Sequence, residues 1–148
     1  MTYAPSSRAF YDADSHIMEL PNFLIDYADP AIRDQIRPVN YSASLVTDEE
    51  VDAIVANGSK HSVAHVEAQV ALGDQLIAES KEIQALGAFD RDDRSVAMDM
   101  LGFKKQLVFA THSVVTPFHP STNLPDDVRY GATRAHNRAM SEFVANDS

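Results

Sequence analysis

A helix followed at once by an apolar strand, over residues 90–111, most restricts how this chain can fold. The helical pattern covers 91–101, and Gly102 ends it. The next segment, KKQLVFAT at 104–111, has a continuous apolar centre, which predicts a strand buried on both faces as in a parallel sheet. A helix that leads into such a strand is half of a βαβ crossover, so the sequence predicts an α/β fold.

A second strand is predicted near the amino terminus, where ionisable residues follow a short apolar stretch. Residues 9–14 have the strand pattern, and Asp12, Asp14 and His16 are spaced two apart. This is the spacing of one strand face, so the three groups would lie together and repel each other without a cation among them. The cluster therefore indicates a divalent metal site. The alternative is an Asp- and Ser-rich turn in which Asp14 or Ser15 caps a helix.

Three further histidines are candidate ligands. His112 follows the predicted carboxyl end of the second strand, where parallel sheets bind ligands, so it is a candidate contact for a substrate or a metal. The alternative for His112 is a loop histidine that hydrogen-bonds to the backbone. His61 and His65 have a metal-ligand spacing for a helix, but no glutamate follows His61 as in zinc proteases. A solvated or capping role is therefore predicted for these two histidines.

The segment between the two strands is predicted to be mostly helical. Thr47 and Glu50 form a capping-box signature for a helix that extends to Asn57. The longest helical pattern covers about 62–86 and ends at a glycine. A last helix is predicted from Pro125, with acidic residues in its first turn.

Composition limits the classes of function. The 148 residues are 45% hydrophobic and 23% charged, which is typical of one globular domain. A formal net charge of −10 disfavours nucleic acid and anionic membranes as partners, and it favours metal cations and small molecules. The absence of cysteine excludes disulfides and thiolate metal sites. Without a signal-peptide pattern or an apolar run of about 18 residues, the expected location is the cytoplasm.

Three segments together resemble a known family. They are DADSH at 12–16 followed by ELP at 19–21, then Arg94, Met98-Asp99 and LGF at 101–103 leading into QLVFAT at 106–111, and finally TRAHNRAM at 133–140. In this order they are similar to the amidohydrolase-related family, in its branch resembling aminocarboxymuconate-semialdehyde decarboxylase. The resemblance implies the amino-terminal part of a (β/α)8 TIM barrel, with a helical insertion between the first two strands. Residues 1–8 would be a leader and 9–148 a partial barrel domain, incomplete at its carboxyl end.

The resemblance also implies a function. The family members are metal-dependent hydrolases or non-oxidative decarboxylases (carboxy-lyases), and the implied substrate is a small carboxylic, amide or lactone compound. Asp14 and His16 are the implied ligands of a divalent metal, zinc or manganese, and Asp14 stands where the family usually has a histidine. Asp12 and His112 are the candidate contacts to substrate or metal. The catalytic residues and the remaining ligands are expected beyond Ser148.

Two other interpretations stay open. An incomplete barrel has an unpaired strand edge, so the chain could be a truncated, non-catalytic fragment that pairs with a second copy or with a complementary chain. An Asp-x-Asp pattern after an apolar stretch also begins haloacid dehalogenase-like phosphatases. Asp12 would then attack phosphorus and Asp14 would be the general acid. That family usually has Thr or Val at the position of His16.

Overall fold

The fold is built on two parallel strands that are distant in sequence. The computed structural model describes residues 2–42 and 44–145, in which β1 is Phe10–Ile17 and β2 is Phe103–Ala110. The helices are α1 (Phe23–Tyr27), α2 (Asp48–Ala56), α3 (Val63–Ala71), α4 (Leu76–Glu79), α5 (Arg91–Leu101), α6 (Val115–Phe118) and α7 (Asp126–Phe143). Single 3-10 turns occur at Arg33–Gln35, Gly73–Gln75, Glu82–Gln84 and Pro120–Thr122.

The prediction of the amino-terminal part of a (β/α)8 TIM barrel is wrong. Within the described residues the chain is a small α/β domain whose sheet contains only β1 and β2. The small residues of α7 pack against α1 and the segment after it, so this helix does not cover the sheet as a barrel helix does. No helix in the described part of the chain is long and apolar enough to cross a membrane.

The sheet has one face open to solvent, contrary to the expectation of a strand buried on both faces. Leu107 and Phe109 alternate along β2 and are 58% and 42% exposed. Tyr11 of β1 pairs with Lys105, and His16 pairs with Phe109, so these side chains share that side of the sheet. We call these five residues the outer face. The strand is exposed here because no helix of the described residues covers this side.

The other side of the sheet faces α5, and the segments between the strands form separate apolar clusters. One cluster joins Met18 to α2, a second joins α1 to α7, and a third joins α4 to α5. The most buried members of the three clusters include Ile83, Leu24, Val128, Ala132, Ala135, Leu76 and Leu86. The segments between the strands therefore bury most of their apolar residues against one another and against α5 and α7.

The caps predicted from sequence are confirmed, but the longest predicted helix is not continuous. The Thr47 hydroxyl accepts a hydrogen bond from the Glu50 amide at 3.3 Å, and the Glu50 carboxylate accepts one from the Thr47 amide at 2.9 Å. Gly102 ends α5 with φ +81°. In the 62–86 segment, Gly73 has φ +58° and separates α3 from α4, because a residue in that conformation ends regular helix.

Candidate functional site

Asp14 and His16 meet on the carboxyl half of β1. Asp14 Oδ1 lies 3.5 Å from His16 Nε2, and the two side chains are 87% and 49% exposed. Two ligands of one tetrahedral zinc ion, each bound at about 2.0–2.1 Å, lie about 3.4 Å apart. The separation of these two atoms therefore fits two ligands of a single metal ion.

Thr111 fixes the proton position on the His16 ring. Its hydroxyl donates to the Ile17 carbonyl oxygen at 2.6 Å, so its oxygen is an acceptor 3.3 Å from His16 Nδ1. A neutral imidazole then carries its proton on Nδ1 and its lone pair on Nε2. Asp14 Oδ1 and His16 Nε2 become two acceptors that face each other. Either a metal ion or a second proton on the ring satisfies such a pair.

Asp12 is separated from this pair by a β-bulge. Asp12 pairs with Gln106 and Ser15 with Val108, so β1 uses one residue more than β2 over this interval. A bulge reverses the alternation of side chains that follow it, which defeats the expectation that Asp12, Asp14 and His16 share one face. The Asp12 carboxylate accepts hydrogen bonds from the Gln106 side chain at 3.2 Å and from the Asp14 amide at 3.0 Å.

Arg94 of α5 joins both strands beneath the pair. Its guanidinium donates to Gln106 Oε1 at 2.8 Å, to Ser15 Oγ at 2.5 Å and to the carbonyl oxygens of Gly87 and His16 at 3.0 and 3.1 Å. Burial lowers the pKa of Arg94, and the Asp12 carboxylate partly offsets this effect. Arginine keeps its charge when it is buried, so the hydrogen bonds of Arg94 hold β1 in position below His16.

A buried carboxylate holds the carboxyl end of β2. Glu19 is 1% exposed, and its oxygens accept hydrogen bonds of 2.9–3.2 Å from the backbone amides of Thr111, His112 and Ser113. These amides take the place of water around the charge and fix the turn that carries Thr111. The sequence pattern does not predict this role of Glu19. The available signal is a lone acidic residue between Met18 and Leu20 in an apolar stretch.

His112, the other candidate contact, packs on Tyr41 at this end of the sheet. The two ring centroids are 5.2 Å apart at 77°, and His112 Nε2 is buried without a hydrogen-bond partner among the described residues. The Tyr41 hydroxyl donates to the Glu19 carbonyl oxygen, and its burial, with the nearby Glu19 charge, raises its pKa. Within 2–42 and 44–145, no three His, Asp or Glu side chains are grouped to hold a metal, so His112 does not complete the Asp14–His16 pair.

His61 and His65 attach α3 to the 3-10 turn at Glu82–Gln84. Their rings stack at 4.2 Å, and their Nε2 atoms lie 2.8 Å from the carbonyl oxygens of Ile83 and Gln84. His61 is only 8% exposed, so the expectation of a solvated role fails for it. Burial lowers the pKa of the His61 imidazole, and His65 adds to this effect. The hydrogen bond to Ile83 and the charges of Asp93 and Asp90 oppose it.

We expect His61 to make the free energy of unfolding fall as pH decreases from about 7.5 to about 5.5. The unfolded imidazole takes up a proton near its ordinary pKa of 6.5, whereas the folded one does so only at lower pH. The unfolded state thus binds more protons in this window and is favoured, by at most about 1.4 kcal/mol per pH unit. Urea denaturation at several pH values measures the slope.

The variant His61→Phe is the test of this assignment. It keeps an aromatic ring beside Phe89, whose centroid is 4.7 Å from that of His61, but it cannot titrate. We expect it to be less stable at pH 7.5, because Ile83 loses its donor, and to have a flatter pH dependence. The exposed His119, changed to Phe, is the matched control. An unchanged slope in His61→Phe would assign the pH effect to other groups.

Two grooves in the described part of the chain lie away from the Asp14–His16 pair. One, of about 930 Å³, is bounded by Arg37, Tyr41 and the start of α2. Another, of about 640 Å³, follows β2 and α5 and includes Arg94 and Gln106. Neither is lined by Asp14 or His16, so a ligand at the pair would lie on an open surface.

Comparison with known proteins adds no relative to this picture. No protein-family model, curated protein or solved structure significantly matches the chain. The amidohydrolase resemblance therefore stays an interpretation of the sequence.

Proposed function

We propose that this chain is a metal-dependent hydrolase or non-oxidative decarboxylase that acts on a small carboxylic, amide or lactone substrate in the cytoplasm. Asp14 and His16 are its ligands for a divalent ion, zinc or manganese. The supporting observation is that Asp14 Oδ1 and His16 Nε2 face each other at 3.5 Å, with Thr111 beside the opposite nitrogen of the ring. Oxygen and imidazole donors suit both ions.

The chain's own residues orient these two ligands. Thr111 favours the tautomer in which Nε2 of His16 is free, and Arg94 holds the His16 carbonyl and the neighbouring Ser15. When bound, the ion would lower the pKa of a water molecule or polarise a substrate carbonyl or carboxylate. A catalytic zinc ion normally has three protein ligands, so a further ligand has to come from outside this pair.

The environment of Asp12 disfavours the phosphatase alternative. A nucleophilic carboxylate must reach the substrate, but Asp12 is only partly exposed and both of its oxygens accept hydrogen bonds. The β-bulge also keeps Asp12 away from the side of the sheet that carries His16. The required pair of a nucleophile and a neighbouring acid is therefore not assembled by Asp12 and Asp14.

Metal binding is the direct test of the proposal. Titration calorimetry with zinc and manganese chlorides is expected to give a dissociation constant in the micromolar range at about pH 7.5. Asp14→Asn and His16→Ala are each expected to weaken it at least about tenfold, the equivalent of 1.4 kcal/mol.

The exposed His119 offers the matched control, as His119→Ala. This variant should bind metal as the unchanged chain does. Absence of binding at millimolar metal, or an equal loss in His119→Ala, would contradict the assignment of Asp14 and His16. Hydrolase and decarboxylase activities can then be assayed separately with small carboxylate, amide and lactone compounds.

A further inference from the structure

The Asp14–His16 pair adjoins an apolar surface that lacks a partner within the described residues. On the outer face, the rings of Phe109 and His16 have centroids 5.8 Å apart, and Leu107 lies two residues before Phe109. Tyr11, also on the outer face, is 64% exposed. Exposed apolar side chains therefore lie directly beside an incomplete set of metal ligands.

We infer that the outer face binds a second copy of this chain, and that one divalent ion at the contact is shared by Asp14 and His16 of both copies. The inference rests on the proposed metal binding and names the partner of that site. A two-fold contact presents each residue twice, so two ligands become four. Two carboxylate oxygens and two imidazole nitrogens would complete a tetrahedral zinc site, to which a substrate or a water molecule would add as a fifth ligand.

The lack of further metal ligands among the described residues of one copy favours a second copy as the partner. The described residues supply no third His, Asp or Glu for the ion, and Asp14 is 87% exposed and so accessible to another molecule. Any other chain would have to bring its own ligands to the same place. A second copy brings a matching pair by symmetry alone.

Charge makes the contact depend on the ion. Each copy has a formal net charge of −10, and the contact brings the two Asp14 carboxylates together. Two like charges at ligand distance repel unless a cation lies between them. The metal-free chain is therefore expected to stay monomeric.

The size of the outer face leads to the same conclusion. Strands of eight residues, at about 3.3 Å per residue and 4.8 Å apart, provide roughly 250 Å². A stable interface buries about 800 Å² on each partner. Apolar contact through Tyr11, Leu107 and Phe109 can support the dimer but is too small to form it without the metal.

Sedimentation velocity with metal analysis tests the inference on the full chain. With EDTA we expect a monomer of 16.3 kDa. With zinc at about 100 µM protein we expect a dimer that holds one ion per two chains. Asp14→Asn and His16→Ala should stay monomeric in zinc, and the high exposure of Asp14 makes the first of these safe for folding.

A second pair of variants distinguishes the contribution of the outer face to dimerisation from that of the metal ligands. Leu107→Lys should weaken the zinc-dependent dimer at least about tenfold, because it places two more charges in the contact. Val63→Lys changes an apolar residue of α3 that is 75% exposed and should have no effect. Equal dimerisation of Leu107→Lys would show that the outer face is not the contact.

The possible outcomes distinguish this inference from the proposed function. One zinc ion on each monomer, with loss of binding in His16→Ala, would overturn the shared site and leave the proposed function standing. No zinc binding at all would overturn both. A dimer that persists in EDTA, or in Asp14→Asn with zinc, would overturn the role of the ion in the contact.

Discussion

Replacing Glu19 by alanine is expected to lower the free energy of unfolding by about 3–5 kcal/mol. The substitution removes a buried carboxylate and leaves the amides of Thr111, His112 and Ser113 without their acceptor. Buried donors that lose their partner cost the full desolvation of each group, which is about 1–3 kcal/mol. Urea denaturation followed by circular dichroism at about pH 7.5 measures the change.

Two further variants test whether the effect is specific to the Glu19 carboxylate. Glu19→Gln keeps one acceptor oxygen but turns the other into a donor that faces an amide, so we expect a smaller loss of about 2 kcal/mol. Glu67 is exposed on α3, and Glu67→Ala should change stability by less than about 0.5 kcal/mol. If Glu19→Ala were as mild as Glu67→Ala, the carboxylate would not be what holds the end of β2.

Gly87→Ala is expected to cost about 2–5 kcal/mol of unfolding free energy. Gly87 has φ +74°, and a Cβ there would lie 2.4 Å from Cα and 2.7 Å from the backbone nitrogen of Arg94. Strain in this backbone region costs about 1–2 kcal/mol, and displacement of α5 adds a packing cost of about 1–3 kcal/mol. Thermal and urea unfolding both measure the effect.

Gly58 supplies the matched control for Gly87. It has a similar φ of +71°, but apart from its own chain neighbours no atom of the described residues lies within 4 Å of an added Cβ. Gly58→Ala should therefore cost only the backbone strain, about 1–2 kcal/mol. The difference between the two variants isolates the contact with Arg94. Equal losses in the two glycines would mean that α5 moves aside without penalty.

Local chemistry made parts of the fold predictable. The Thr47–Glu50 capping box and the Gly102 stop depend on groups within one helical turn, and the structure has both. The features that differ from the prediction depend on contacts between residues that are distant in sequence. The small residues of α7 suit packing on any close surface, and nothing in their pattern distinguishes α1 from a sheet. The barrel prediction followed from the resemblance, and it is wrong because the sheet of the described residues contains only β1 and β2.

In the candidate site, too, local features were predictable from the sequence and features that depend on distant contacts were not. The two-residue spacing on β1 places Asp14 beside His16, as a regular strand requires. It misplaces Asp12, because a bulge depends on how β1 registers with β2 and has no mark of its own in this sequence. The role of Glu19 is hidden for another reason: its partners are backbone amides, which every residue except proline possesses.

The parallel pairing of β1 with β2 has a consequence for biosynthesis. During translation β1 emerges early, but its only partner among the described residues is complete only when Ala110 has left the ribosome. The helical clusters between them can form meanwhile from nearby contacts, whereas closing so long a loop is slow. The nascent chain therefore carries an unpaired strand from the synthesis of Ile17 until that of Ala110, and chaperones would protect it during this interval.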